Sequence, residues 1–211
     1  PQKAVEEKEP ALRHASPPSI LRLRNRKACE MLTFNYSVMG AGKSARLLQA
    51  AHEFEEGGSR VLLFTSVLDD RAGVGRIASR MGISRSAHPV AADDDLFDLV
   101  AAAAEGAPIT AIFIDEVQFL GVHHAEQMIR ISDELGIEVF AYGLKNNVFG
   151  HLFSDTIAFL LAKADRLVEI ARRCHCGQRA TQILRYDPEG QAIKSGNVVE
   201  VGGDDRYVSV C

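Results

Sequence analysis

The chain lacks any run of about 18 apolar residues, the length a helix needs to cross a bilayer. It also lacks a surplus of basic side chains: 24 Lys and Arg stand against 28 Asp and Glu, for a formal charge of −4 and a pI near 6.0. Nucleic-acid binders need an electropositive face to displace counterions from phosphates, so this balance argues against that class. Cysteine is scarce, four in 211 residues with two of them one residue apart, which excludes a disulfide framework and fits a reducing cytoplasm. The opening residues carry no secretory signal, because Lys3, Glu6, Glu7, Lys8 and Glu9 break up any hydrophobic stretch. Internal repeats are absent too. What remains is ordinary globular composition, 46% hydrophobic and 25% charged, with enough apolar material for a core.

The first 29 residues differ from the rest. They hold Pro10, Pro17 and Pro18 and many charges, with little apolar periodicity before Ile20. They read as a disordered extension, with a basic docking arm around Arg22, Arg24, Arg26 and Lys27 as the functional alternative. The start at Pro1 rather than Met, and the stop at Cys211, are what a fragment would show.

From residue 31 the pattern alternates between strand and helix. Met31 to Tyr36, Val61 to Thr65, Ala111 to Ile114 and Ile137 to Tyr142 are apolar runs suited to strands covered on both faces. Between them, Leu47, Leu48, Ala51 and Phe54 fall at helical spacing, as do Leu96, Leu99, Val100 and Ala103, and Val122 to Leu135 reads as a third helix. Ser154 is placed to cap a fourth helix carrying Ile157, Leu160 and Leu161. Strands joined by helical crossovers predict a parallel sheet with helices on both faces, here over residues 30–170. After about residue 166 short β-like runs follow (Arg166 to Ala171, Arg179 to Tyr186, Val198 to Val201), with a turn at Asp187-Pro188-Glu189-Gly190. Residues 171–211 are therefore expected to form a small β appendage.

Ser37-Val38-Met39-Gly40-Ala41-Gly42-Lys43-Ser44 joins the first strand to the first helix. It is a phosphate-binding loop of the G-x-x-x-x-G-K-[ST] kind with Ser37 in place of the first glycine. Backbone amides at a helix N-terminus present donors to an anion, Lys43 reaches the outer phosphates, and the Ser44 hydroxyl suits Mg²⁺. The apolar run Ala111 to Ile114 ends in Asp115-Glu116. At such a strand end Asp115 faces the Mg²⁺ of a bound nucleotide, and Glu116 is positioned to take a proton from an attacking oxygen. Whether that oxygen belongs to a hydroxyl acceptor or to water stays open from these residues. The third signal is Cys174-His175-Cys176-Gly177 with Cys211. Thiolates on turns of a small β unit suit a tetrahedral Zn²⁺ staple, with Cys174, Cys176 and Cys211 as three ligands and a fourth expected beyond Cys211. His175, between two ligands, is expected to point away.

Taken together, these segments closely resemble the zinc-containing type II thymidine kinases of bacteria and the animal cytosol, from about Leu32 to Cys211 and in the same order. Asp69-Asp70-Arg71 resembles the family's ATP-contacting segment, and Asp115-Glu116-Val117-Gln118-Phe119 its D-E-x-Q-F motif, whose Glu is the catalytic base. Tyr142-Gly143-Leu144 matches the strand end leading to the nucleoside pocket, and Cys174 to Gly177 the first zinc knuckle. Val198 to Gly203 followed by Asp205 to Cys211 looks like the loop that closes over the base. The resemblance implies a P-loop kinase that moves the γ-phosphate of ATP onto the 5′-hydroxyl of thymidine, with deoxyuridine as a second acceptor. It implies Glu116 as base, and ATP and Mg²⁺ on 37–44, Asp69, Asp70, Arg71, Asp115 and Gln118. It places the nucleoside against Val148, Phe149, Val198, Val199, Glu200, Val201, Gly202 and Tyr207. A structural Zn²⁺ and a homotetramer are also implied. Val148 departs from the pattern, standing where the family usually has an aromatic, with Phe149 next. The rival readings are a P-loop ATPase with a zinc-bearing β module and a non-catalytic nucleotide-binding relative.

Overall fold

The computed structural model describes residues 31–198 and 206–211. The expected extension over residues 1–29 and the expected nucleoside contacts Val199, Glu200, Val201 and Gly202 lie outside them.

The chain opens with β1 (Leu32–Ser37), α1 (Lys43–Glu56) and β2 (Val61–Ser66). Three short strands follow, β3 (Arg76–Ala78), β4 (Ser84–Ser86) and β5 (His88–Val90), then α2 (Leu96–Ala104) and β6 (Ala111–Asp115). Next come α3 (Val122–Arg130), β7 (Glu138–Leu144), α4 (Asp155–Lys163) and β8 (Arg166–Glu169), and last β9 (Gln182–Arg185) and β10 (Tyr207–Val210). Six strands form one parallel sheet in the order β5-β2-β6-β7-β1-β8. The chain crosses from β1 to β2 over β7 and β6, then fills the gap between them. This places the carboxyl ends of β1 and β6 on the same edge, where open parallel sheets bind ligands.

The apolar runs are continuous because each inner strand is covered on both faces. On β6, Ala111 and Phe113 pack with Leu47, Leu48 and Ala51 of α1, whereas Ile112 and Ile114 pack with Leu96, Val100, Met128, Ile157 and Leu160 of α2, α3 and α4. Phe54 on α1 meets Phe113 and Phe140 edge-on, with centroids 5.6 Å away in each case, while those two rings stack at 4.8 Å. Such aromatic pairs add about 0.5–1.5 kcal/mol beyond their buried area. They tie the helix that begins at the phosphate loop to the strand that ends in Asp115.

Four details differ from the sequence reading. The run from Arg166, grouped by pattern with the short β-like runs that follow it, joins the main sheet as β8, parallel to β1, because its residues pair with Thr33 to Tyr36. Leu99 is 43% exposed, and α2 buries only Leu96 and Val100 fully. The predicted helix to Leu135 is α-helical to Arg130 and widens to a π turn over Ile131–Leu135, ended by Gly136 at φ 71°. Ser154 holds the cap position of α4, but its hydroxyl accepts no capping hydrogen bond and is buried without a partner.

Candidate active site

The phosphate loop leaves β1 at Ser37 and enters α1 at Lys43. Gly40 (φ 71°) and Gly42 (φ 86°) sit in the left-handed region, where a Cβ would be penalised. At Gly40 a Cβ would also collide with the guanidinium of Arg172. Ser37, in the slot of the missing glycine, turns its hydroxyl to the Val38 carbonyl at 2.8 Å. Lys43 is 7% exposed, a costly place for an ammonium, and the negative charge that offsets it comes from the next element.

That element is the tip of β6. Asp115 and Glu116 are both buried. Burial, reinforced by the neighbouring Glu116 carboxylate, pushes the Asp115 carboxyl up to about 6, against the opposing pull of Lys43 and a hydrogen bond from Ser44. Its Oδ1 accepts the Glu116 N–H at 3.0 Å. Glu116 has φ 53°, the one positive φ at a non-glycine position among the described residues. Strain of this kind costs about 1–3 kcal/mol and persists only where the surroundings fix it. Burial alone would push the Glu116 carboxyl up, but Lys43 and Arg71, with hydrogen bonds from Gln118 and Arg71, outweigh it and hold the group below the usual carboxylate range.

Two side chains clamp that carboxylate. Arg71 donates from Nη2 to Glu116 Oε1 at 2.5 Å and from Nε to Asp69 Oδ1 at 2.6 Å. Gln118 donates its amide to Glu116 Oε2 and accepts the Leu144 N–H on its own Oε1 at 3.0 Å. Gln118 was expected at the nucleotide. At 3% exposure it instead stands behind Glu116, with its amide spent on Glu116 and β7. Asp70 is exposed and Asp69 buried, while Arg71, itself half exposed, lines the cleft with its guanidinium on Asp69 and Glu116.

The loop residues from Met39 to Ser44, with Asp69, Arg71 and Glu116, line a cleft of about 510 Å³. Its outer wall is the turn between β3 and β4, where Ser79, Arg80 and Met81 face the opening. Sequence reading missed this wall, since three-residue strands carry too little periodicity to register.

The expected nucleoside contacts divide. Val148, 6% exposed, packs with Val38, Cys174, Ala180 and Ile183, and Phe149 and Tyr207 flank this group with Met39 and Leu144. Val198 is half-buried. Asn147 shapes the turn beneath Phe149 by accepting the N–H groups of Phe149 and His151 at 2.9 and 3.2 Å. Cys174, Cys176 and Cys211 come together, with their sulfurs all within 4.8 Å of one another. Such spacing suits thiolates around one tetrahedral ion. His175 stays outside the trio, but its Nδ1 lies 3.4 Å from the Cys174 sulfur, so it does not turn away as expected.

A Gly-Lys-Ser loop at the tip of β1, facing an Asp-Glu pair at the tip of β6 with β7 between them in a parallel sheet, defines the P-loop nucleotide-binding class. Such a site grips a triphosphate and brings a carboxylate to the oxygen that attacks it. A sequence profile described as thymidine kinase matches residues 30–211. The thymidine kinase of Agrobacterium fabrum is 49% identical over 180 residues, covering 85% of this chain and 93% of that one. Those of Rhizobium meliloti and Vibrio cholerae are 47% and 44% identical, covering 85% and 84% of this chain and 93% and 92% of theirs. The chain belongs to the thymidine kinase family. Among the described residues no helix is long and apolar enough to cross a membrane.

Proposed function

We infer that the chain transfers the γ-phosphoryl group of ATP to the 5′-hydroxyl of thymidine, with deoxyuridine as a second acceptor, giving a nucleoside monophosphate for DNA synthesis. The observation that carries this reading is the placement of Glu116. Its buried carboxylate borders the cleft formed by the Lys43 loop and is kept ionised by Lys43 and Arg71. An ionised carboxylate is what accepts the proton of the attacking hydroxyl. Lys43 and Arg71 offset the charge that develops on the transferred group, and the backbone amides of residues 40–44 bind the phosphates. Asp69 restrains Arg71 from the far side. Val148, Phe149 and Tyr207 form an apolar wall next to the loop, suited to the flat face of a pyrimidine.

Ser44 and Asp115 would hold Mg²⁺ through their oxygens. When bound, Mg²⁺ supplies charge neutralisation between the phosphates. Zn²⁺ on Cys174, Cys176 and Cys211 would brace the C-terminal segment, residues 171–211, without entering the chemistry. The reading places the protein in the cytoplasm as a homotetramer.

Purified protein given ATP, Mg²⁺ and thymidine should form thymidine monophosphate. Glu116→Gln should keep ATP binding and lose about 10²- to 10⁴-fold in turnover, the usual contribution of a positioned base. Near-normal turnover in that variant would remove Glu116 from the role. ATP hydrolysis indifferent to nucleoside would favour an ATPase.

A further inference from the structure

The outer half of the phosphate loop is not held by the loop itself. The Met39 carbonyl accepts two hydrogen bonds from distant parts of the chain, from Arg172 Nη1 at 2.7 Å and from Ser209 Oγ at 2.6 Å. Both donors belong to the cysteine-bearing segment, and each stands two residues ahead of a member of the thiol trio, Cys174 or Cys211. Ser209 is 5% exposed and fixed in the β9–β10 ladder opposite Ile183. Arg172 is fixed by its own carbonyl, which accepts the Ala180 N–H at 2.8 Å. Val38 and Met39 complete the contact by packing against Cys174, Ala180 and Ile183.

We propose that Ser209 and Arg172 are positioning residues for ATP, acting through the Met39 carbonyl. A peptide unit is planar and trans, so its C=O and the following N–H point in opposite directions. Holding the Met39 oxygen toward the cysteine segment turns the Gly40 N–H the other way, toward the cleft that Gly40 lines. That amide thus becomes a fixed donor for a phosphate oxygen. Two features of the sequence fit this arrangement. The loop lacks the glycine that usually opens it, and Gly40 is bare where a side chain would displace the Arg172 guanidinium. The cysteine segment then sets the affinity for the phosphate donor, a task separate from any contact with the nucleoside.

This inference rests on the kinase reading, yet its primary test needs no phosphoryl transfer. A non-hydrolysable ATP analogue with Mg²⁺ is titrated calorimetrically into wild type, Ser209→Ala, Ser209→Thr and Arg172→Gln. Loss of one donor to a buried carbonyl should weaken the analogue roughly two- to tenfold in Ser209→Ala. Ser209→Thr, which keeps the hydroxyl, should bind like wild type, and Arg172→Gln should be weakened like Ser209→Ala. In turnover assays KM for ATP should rise by the same factor while KM for thymidine stays within twofold. Should Ser209→Ala fail to fold, the proposal is judged on Arg172→Gln. Wild-type analogue affinity in both Ser209→Ala and Arg172→Gln overturns it, as does an equal rise in the KM for thymidine. Equal weakening in Ser209→Ala and Ser209→Thr also overturns it, since that would mark a packing defect. A wild type that binds the analogue but phosphorylates no nucleoside would count against the kinase reading alone.

Discussion

Replacing Gln118 with leucine tests whether the carboxylate at the tip of β6 is held in place from behind. The side chains have similar volume, so the change removes hydrogen bonds and little packing. Two bonds go: the donation to Glu116 and the acceptance of the Leu144 N–H. A buried amide left without a partner costs about 1–3 kcal/mol, and a bond to a charged group contributes about 1.5–3 kcal/mol. The two overlap in part, since the chain can relax, and a loss of about 2–4 kcal/mol is expected. That is tolerable within the roughly 5–15 kcal/mol of a typical domain, so the variant stays folded. Its chemistry should suffer more. Glu116 keeps Arg71 on one oxygen but loses the restraint on the other, and a displacement of about 1 Å costs about 100-fold in rate. Because Gln118 favours the ionised form of Glu116, its removal also moves the acid limb of the rate profile to higher pH. Urea denaturation measures the first effect, and steady-state turnover with ATP and thymidine from pH 5 to 9 the other two. A variant with wild-type kcat and an unshifted acid limb would refute the clamp.

Two further outcomes follow from the same geometry. The Asp115 carboxyl stands near 6 instead of its ordinary 3.8, and a group raised on folding stabilises below its unfolded value and loses that stabilisation as pH rises through the folded one. Ligand-free wild type compared with Asp115→Asn should therefore lose relative stability steadily as pH rises from 4 to 7, and a flat difference in denaturation free energy would contradict the assignment. Elemental analysis should find about one zinc per chain. A strong chelator, or Cys176→Ser, should lower the thermal midpoint by several degrees, and an unchanged midpoint with no zinc found would leave the trio as plain thiols.

Much of the sheet was legible because its inner strands are buried on two faces, and continuous apolar runs such as Ala111 to Ile114 announce that. The phosphate loop and the acidic strand tip were legible because their chemistry demands fixed residue types in a short window. β3, β4 and β5 were not. Each has three residues, β4 is wholly polar, and β5 contains Pro89, which an edge strand tolerates and an inner one does not. Leu99 shows the limit of periodicity, which marks a stripe but not how wide the covered part is. The reach of Arg71 to Glu116 spans 45 residues and that of Arg172 to Met39 spans 133, so neither leaves a local pattern. The left-handed turn at Glu116 was invisible for another reason. Glutamate has no preference for it, and only the enclosing contacts impose it.

Gly143, near the end of β7, has an ordinary backbone conformation, and its lack of a side chain serves a different purpose. A methyl there would come within 2.8 Å of a Val117 methyl and 3.0 Å of the Gln118 side-chain oxygen Oε1. The short turn that follows Glu116 can settle onto the sheet only because that spot is empty. The position of the Glu116 carboxylate is thus written partly in a missing carbon on another strand. A side chain at this site is accepted only if Val117, Gln118 and Ile157 shift to make room for it.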